Sequence, residues 1–333
     1  MTLKEIAKRA NVSTATISLV LNDKKGVSPG KRVEIQNLLK ELNYQNNRNL
    51  QIKKQNLLFI KYSKSGKYIE ENEGFIAVII DALGTECRKM HYQLVFQIAK
   101  NSLKDIIANI DYESIDGVFL LGTELEKSDY PLIKRIKKPC IVIDNSIPNL
   151  PCNSITMNNQ EMMHLAYQHY ASQNAKFELG YLHGKVFAQN FEDRYLGLQE
   201  DARENNVTIQ TENIFILDPT IQGSYTDMMN FLKAERKIPK FLIADNDTIA
   251  IGAMQALNEW GIKIPENIQI IGFDDIVFSE NTSPSLTTLR VKRRLIGSLA
   301  VQILHSSINS PELQNVKIKV GGNLILREST FNK

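Results

Sequence analysis

From Leu57 onward, short apolar runs rich in β-branched residues alternate with longer stretches of helical periodicity. The runs include Leu57–Ile60, Leu94–Ile98, Val118–Leu121 and Ile141–Ile143, then Leu179–Leu182, Ile214–Leu217, Phe241–Ala244 and Ile268–Ile271. Between most of them lie helical stretches such as Gly74–Met90, Gln160–Ser172, Asn190–Asn205 and Thr248–Gly261. A strand, a crossover helix and another strand, repeated, imply a parallel sheet with helices on both faces. A single core stops growing near ~250–300 residues, and this chain has 333. The expected body is therefore two doubly wound α/β lobes of roughly 130 residues each, an ordinary domain size.

Open α/β sheets bind ligands beyond the C-terminal ends of their strands. Two such lobes facing each other place the site in the cleft between them, where hinge closure is possible. The polar residues at those ends are Asp144 after Ile141–Ile143, Asp245-Asn246-Asp247 after Phe241–Ala244, and Asp274-Asp275 after Ile270–Phe273. Arg194 lies on a helix just after the strand that ends near His183. Carboxylates and an amide around one guanidinium suit a polyhydroxylated neutral ligand, whose hydroxyls donate to the former and accept from the latter. Asp247 and Asp275 are equally well placed to cap the next helix or to orient neighbours.

The first 45 residues follow another rule. Leu3, Ile6, Ala7 and Ala10 fall at i, i+3, i+4 and i+7, one stripe of an amphipathic helix. Asn11-Val12-Ser13 interrupts it, and Ser13 or Thr14 can cap a second helix, Thr14–Asn22. Ser28-Pro29 starts a third, in which Val33, Ile35, Leu38, Leu39 and Leu42 are the expected buried face. Three short helices on a small core make a helix-turn-helix head, whose second helix enters the major groove N-terminus first. Thr14, Ala15, Thr16 and Ser18 are then the candidates for base edges.

Charge agrees with this division. Residues 1–56 carry a net +7 and the remainder −4, so a polyanion is expected at the head and not at the body. Lys24, Lys25 and Lys31 are candidates for phosphate contacts. The three cysteines form no C-x-x-C pair and the five histidines no H-E-x-x-H, so neither a metal centre nor a cofactor is expected. The charged start lacks the apolar run of a secretory signal, and no apolar stretch approaches the ~20 residues that span a bilayer. A cytoplasmic protein away from membranes is the expectation.

The segment Leu3-Lys4-Glu5-Ile6-Ala7-Lys8-Arg9-Ala10-Asn11-Val12-Ser13-Thr14-Ala15-Thr16-Ile17-Ser18-Leu19-Val20-Leu21-Asn22, continued by Glu41-Leu42-Asn43-Tyr44, resembles the head of the lactose-repressor (LacI/GalR) family of bacterial regulators. Ala244-Asp245-Asn246-Asp247, Ile270-Ile271-Gly272-Phe273-Asp274-Asp275 and Ser283-Pro284-Ser285-Leu286-Thr287-Thr288-Leu289 extend the resemblance through the body, as does Glu192-Asp193-Arg194-Tyr195-Leu196-Gly197. It implies two lobes of the periplasmic-binding-protein type, with Asp144, Arg194, Asn246 and Asp274 touching an effector. Leu19 stands where the family usually has a guanine-reading Arg. Asn47, Arg48, Leu50 and Ile52 stand in the hinge segment, whose family pattern is altered here, with Leu50 or Ile52 as the minor-groove wedge. The family's first-lobe motif is absent, leaving Asn72 and Phe75 as the first-lobe candidates.

The implied organisation is a head at 1–45, a hinge at 46–56, a first lobe at 57–156 with about 290–312, and a second lobe at 157–289 with about 313–333. The implied protein is a homodimeric transcriptional regulator, a repressor, that binds a pseudo-palindromic operator under control of a small molecule, a sugar being favoured. No heptad tail for a tetramer follows Thr330. Alternatives keep the fold and change the effector, to a purine-like base or a protein co-regulator of carbon catabolism. Tyr62, Phe75 and Phe273 are the aromatics on which a base could stack. A solute-binding protein without regulation conflicts with the head. An enzyme conflicts with the absence of a Walker A, G-x-S-x-G or H-E-x-x-H sequence.

Overall fold

The computed structural model describes residues 3–21, 24–42, 55–64, 73–100, 102–174, 178–310, 312 and 314–331. The chain divides into two units, Met1–Gln55 and Asn56–Lys333. The hinge candidates Asn47, Arg48, Leu50 and Ile52, and the first-lobe candidate Asn72, lie outside the described residues.

In the first unit α1 spans Leu3–Arg9, α2 Thr14–Leu21 and α3 Pro29–Glu41. Ile6, Ala7, Ala10, Ile17, Val20, Ile35 and Leu39 form its core. Just past α1, Asn11 takes a φ of 51°, a left-handed conformation that asparagine tolerates and that turns the chain sharply. Ser13 then caps α2: its Oγ accepts the Thr16 N–H at 3.1 Å and lies 2.9 Å from Thr16 Oγ1. Val33, expected on the buried face of α3, is 55% exposed. Ile35 and Leu39 are four apart and hold the core side of α3, which turns Val33 outward.

In the second unit the first lobe opens with β1 (Gln55–Ser63), α4 (Glu73–Lys89), β2 (Tyr92–Lys100), α5 (Leu103–Ala108), β3 (Gly117–Leu121), α6 (Tyr130–Ile133), β4 (Cys140–Ile143) and β5 (Asn153–Met157). The second lobe follows with α7 (Asn159–Asn174), β6 (Leu179–Gly184), α8 (Gln189–Glu204), β7 (Ile214–Leu217), α9 (Ile221–Lys233), β8 (Phe241–Ala244), α10 (Asp247–Glu259), β9 (Gln269–Asp274), α11 (Val277–Asn281) and β10 (Thr287–Arg290). The chain closes with α12 (Arg293–Asn309), β11 (Lys317–Val320) and β12 (Asn323–Ile325).

Two six-stranded sheets result, ordered β11-β5-β4-β3-β1-β2 and β12-β10-β9-β8-β6-β7. Among the described registers every pairing is parallel except β10 with β12. One apolar cluster runs through both lobes, joining Phe59, Phe119 and Ile143 to Tyr181, Phe241 and Phe273. The helix α12 returns to the first lobe, where it lies so close on α4 that a Cβ at Gly297 would sit 2.6 Å from the Ile79 carbonyl. Only glycine permits that approach.

The expected second-lobe segment 313–333 is in fact divided. Its strand β11 pairs with β5 in the first sheet, with Lys317 opposite Ser154 and Val320 opposite Met157. The alternation Lys-Ile-Lys-Val fits the edge of either sheet, and the pairing is fixed by a partner far away: Val316 donates its N–H to the Asn153 side chain at 2.9 Å. The chain thus crosses between lobes three times, at 157–159, 290–293 and 320–323. Among the described residues no helix is long and apolar enough to cross a membrane.

Candidate functional site

The candidates Asp144, Arg194, Asn246 and Asp274 are all buried, Asp144, Asn246 and Asp274 at or just beyond the C-terminal ends of strands and Arg194 on the helix that follows β6. Arg194 projects from α8 and is 1% exposed. Its Nε donates to Asn159 Oδ1 at 2.9 Å, its Nη1 to the Asp245 carbonyl, and its Nη2 to Asp274 Oδ1 at 3.3 Å. The guanidinium also lies 3.5 Å from the centroid of the Phe273 ring. Carbonyl, amide, carboxylate and ring together hold one cation in a single orientation.

Across the cleft, Asp144 follows β4 with φ at 67°, while Asp274 ends β9 at φ 113°. Non-glycine residues with such dihedrals are strained, and strain of this kind collects at binding sites. Asp144 accepts from Thr123 Oγ1 at 2.6 Å and from Asn190 Nδ2 at 3.0 Å. The second bond joins the lobes, because Asn190 lies on α8. Asn190 also accepts from Asn159 Nδ2 at 3.0 Å, which ties Asp144 to the Arg194 network. Tyr130 supplies a further link between lobes, donating to Gln189 Oε1 at 3.4 Å.

Asn246 has two tasks. Its Oδ1 accepts the Ile249 N–H at 2.9 Å and caps α10, while its buried Nδ2 has no hydrogen-bond partner among the described residues. Ser63 Oγ, at the end of β1 in the opposite lobe, is likewise buried without a hydrogen-bond partner among the described residues. An unmade buried hydrogen bond costs about 1–3 kcal/mol, and a ligand with hydroxyls recovers it. Phe75 is in the apolar cluster, 5% exposed, with Arg293 5.5 Å from its ring centroid.

Asp247 and Asp275 are spent on structure. Asp247 accepts from Thr288 Oγ1 at 2.5 Å, Ser279 Oγ at 2.6 Å and the Ile276 N–H at 2.9 Å. Asp275 pairs with Arg290 at 2.5 Å and Arg327 at 2.7 Å. Sequence reasoning missed Asn190, Asn159 and Thr123 as parts of the site, and named Asp245 among the strand-end polar residues without giving it an effector contact. Asn190 had a signal, since it precedes Arg194 by four residues and shares its helix face. Asp245 is a buried carboxylate that accepts from Tyr181 Oη at 2.5 Å and from the Gly184 N–H at 2.8 Å. His183 Nδ1 lies 2.7 Å from it, an ion pair when the imidazole is protonated. Burial opposes the charge on His183, yet Asp245 prevails and raises its pKa.

Burial pushes the Asp144 carboxyl up to about 6 against the pull of Thr123, Arg194 and Asn190. It pushes Asp247 to about 6 and Asp274 to about 7, the latter helped by the charges of Asp247 and Asp144 and resisted by Arg194. All three exceed the ~3.9 of an unfolded aspartate. Between those values the folded chain therefore binds more protons than the unfolded chain, so stability rises as pH falls. Urea unfolding of the body at pH 5.5 should show on the order of 3 kcal/mol more stability than at pH 7.5. Asp274→Asn, which removes the highest of the three, should flatten that dependence. An unchanged slope would show that Asp274 is ionised throughout.

On the head, Thr14 and Ala15 at the start of α2 are exposed, as are Ser18, Lys24 and Lys25. Thr16 is half-buried, with its hydroxyl against the Ser13 cap. Leu19 leans on the following turn, its Cδ1 3.4 Å from where a Gly26 Cβ would stand. Lys31 pairs with Glu34 at 2.8 Å. Arg32 donates to the Lys24 carbonyl and so fixes the turn between α2 and α3.

A model of bacterial regulatory proteins of the lacI family matches residues 2–47, and one of the periplasmic binding protein-like domain matches 168–330. The HTH-type transcriptional repressor PurR of Actinobacillus pleuropneumoniae serotype 3 (strain JL03) is 29% identical over 338 residues, 99% of this chain and 98% of that protein. PurR of Haemophilus influenzae (strain ATCC 51907 / DSM 11121 / KW20 / Rd) is 26% identical, with 98% of each chain covered. Among solved structures, the regulator CelR in complex with cellobiose has a TM-score of 0.73 at 20% identity, covering 99% of both chains. The lac repressor dimer bound to operator and the anti-inducer ONPF also scores 0.73, at 23% identity, covering 100% of this chain and 99% of that one. A LacI family regulator from Enterococcus faecium with bound ribose scores 0.66 at 19% identity, covering 83% and 98%. The structural likenesses concern the fold.

Proposed function

We propose that this chain, which belongs to the lacI family of bacterial regulatory proteins and is a DNA-binding transcriptional repressor with a small-molecule effector, takes a sugar in the cleft between its lobes. The observation that carries this reading is the set of buried, oppositely disposed polar groups there. Asp144 and Asp274 accept, Arg194 donates, and Asn246 Nδ2 and Ser63 Oγ have no hydrogen-bond partner among the described residues. Sugar hydroxyls donate and accept at once, so each can serve two such groups. A stacked base fits less well, because the Phe273 ring is covered by Arg194 and Tyr62 is 2% exposed. The complexes of similar folds with cellobiose and ribose support the same reading.

A thermal-shift panel of mono- and disaccharides beside purine bases tests the proposal. A ligand at ~100 times its Kd stabilises by about 2.7 kcal/mol. Stabilisation by purine bases alone would overturn the sugar reading and leave the cleft as the effector site.

At the other end, the repressor acts as a homodimer in the cytoplasm on a pseudo-palindromic operator, because one head reads too few base pairs and two-fold pairing doubles the readout. Thr14, Ala15, Thr16 and Ser18 face base edges, and Lys24, Lys25 and Lys31 hold phosphates. Two classes of variant should therefore separate. Thr14→Ala relaxes the preferred sequence, with a loss of discrimination of about 1–3 kcal/mol at one base pair. Lys24→Ala weakens all sequences alike and reduces the salt slope by about 1. Gel-shift titrations on operator and scrambled DNA distinguish the two. Equal losses on both DNAs for Thr14→Ala would place it on the backbone instead.

A further inference from the structure

Two cysteines outside the cleft have no part in the reading above. Cys140 opens β4 and Cys152 immediately precedes β5; the parallel register that begins with Ile141 beside Asn153, continued one residue back, sets Cys140 beside Cys152. Side chains alternate along a strand, and both cysteines pack against the apolar cluster that contains Val142. The two thiols therefore share one face. Neighbouring strands run about 4.8 Å apart, inside the Cα separation of roughly 4.4–6.8 Å that a disulfide spans. Both residues are half-buried and line one cavity of about 610 Å³, whose rim holds Lys134, Lys137 and Lys138. The Lys317 ammonium is 3.6 Å from Cys152 Sγ.

We propose that Cys140 and Cys152 are an oxidisable dithiol site, at which an anionic low-molecular-weight disulfide enters this cavity and is exchanged for an internal Cys140–Cys152 disulfide. The lysines on the rim attract the carboxylates of the incoming molecule. Cys152, beside Lys317, loses its proton to solvent and attacks one sulfur of the small disulfide. The small disulfide's S–S bond breaks, one half leaves as a thiolate, and a mixed disulfide forms on Cys152. Cys140 then loses its proton and attacks Cys152 Sγ, expelling the second half. Two protein thiols are oxidised and one small disulfide is reduced to two thiols, so electrons and protons balance. Burial raises both thiols, with Lys317 pulling Cys152 part of the way back. Poorly stabilised thiolates make the exchange slow and favour the closed disulfide at equilibrium. The bond ties the starts of the two strands whose far ends lead to Asp144 and Asn159.

The full chain, freed of reductant and incubated with excess oxidised glutathione, tests this directly. After alkylation in denaturant, modifiable thiols should fall from the three of the sequence to Cys87 alone. The intact mass should drop by two hydrogens without dimerisation on a non-reducing gel, and dithiothreitol should reverse both changes. With Cys140→Ser the reaction should halt at a glutathione adduct on Cys152, and Lys317→Ala should slow the first step at least tenfold. The wild-type measurement needs no variant to fold. A stable adduct on Cys152 with Cys140 still free, a crosslink between chains, or three free thiols after prolonged oxidation would each overturn the proposal.

Discussion

Operator affinity of this repressor is expected to fall roughly 500- to 22,000-fold when salt rises from about 50 to 200 mM, for five to eight phosphates neutralised at about 0.9 in slope for each. The cause is the net +7 of residues 1–56, among which Lys4, Lys8, Arg9, Lys24 and Lys25 are exposed. Each phosphate contact frees condensed counterions, and added salt removes that entropy gain. The body, with its net −4, contributes nothing of this kind. Removing residues 1–55, a unit with a core of its own, should therefore abolish binding to any DNA and leave effector binding intact. A salt slope shallower than −3, or a body that still shifts operator DNA, would contradict this division.

The second large effect belongs to Arg194→Ala. Four partners converge on a side chain that is 1% exposed. Its loss leaves the Asp274 carboxylate buried without its cation, a change that costs about 3–5 kcal/mol in comparable buried pairs. Asp274, already raised by burial, then takes up a proton. Effector-dependent change in operator affinity should vanish, a coupling that is usually about 1–3 kcal/mol or roughly 5–150-fold. Operator binding without effector should persist below the lowered melting temperature, because the head is a separate unit. Arg194→Lys should not restore the response, since one ammonium cannot reach Asn159, the Asp245 carbonyl and Asp274 together. Denaturant melts and operator titrations with and without effector measure both effects. An unchanged effector response in Arg194→Ala would remove the cleft from consideration.

Most of the fold was legible because its signals are local. Runs such as Val118–Leu121 and Phe241–Ala244 are apolar at every position, as strands covered on both faces must be, and they emerged as β3 and β8. The rule that α/β ligands sit beyond strand ends was enough to select Asp144, Asn246 and Asp274. The hydrogen bonds among those residues were not legible. Asn190 reaches Asp144 across 46 positions and Arg194 reaches Asp274 across 80, and no periodicity encodes such pairs. The same blindness misplaced β11, whose two-residue alternation reads alike in either sheet, and Val33, whose helix carries more apolar residues than its core accepts. Asp247 and Asp275 were ambiguous for a chemical reason. A carboxylate at a strand end caps, pairs or binds with the same atoms, and only the arrival of Thr288, Ser279 or Arg327 decides which.

The three crossings between the lobes lie side by side. Asn158 in the first donates to the Val320 carbonyl in the third at 2.8 Å, and a Cβ on Gly322 would sit 2.5 Å from the Arg290 carbonyl of the second. A single strap would let one lobe swivel, slide or nod against the other. Three lashed straps resist torsion and shear, as a door hung on several knuckles does, and leave bending about their common line as the compliant direction. Energy released by a ligand in the cleft thus has one coordinate to work along, and the angle between lobes becomes a readable quantity, open or shut, instead of a diffuse wobble.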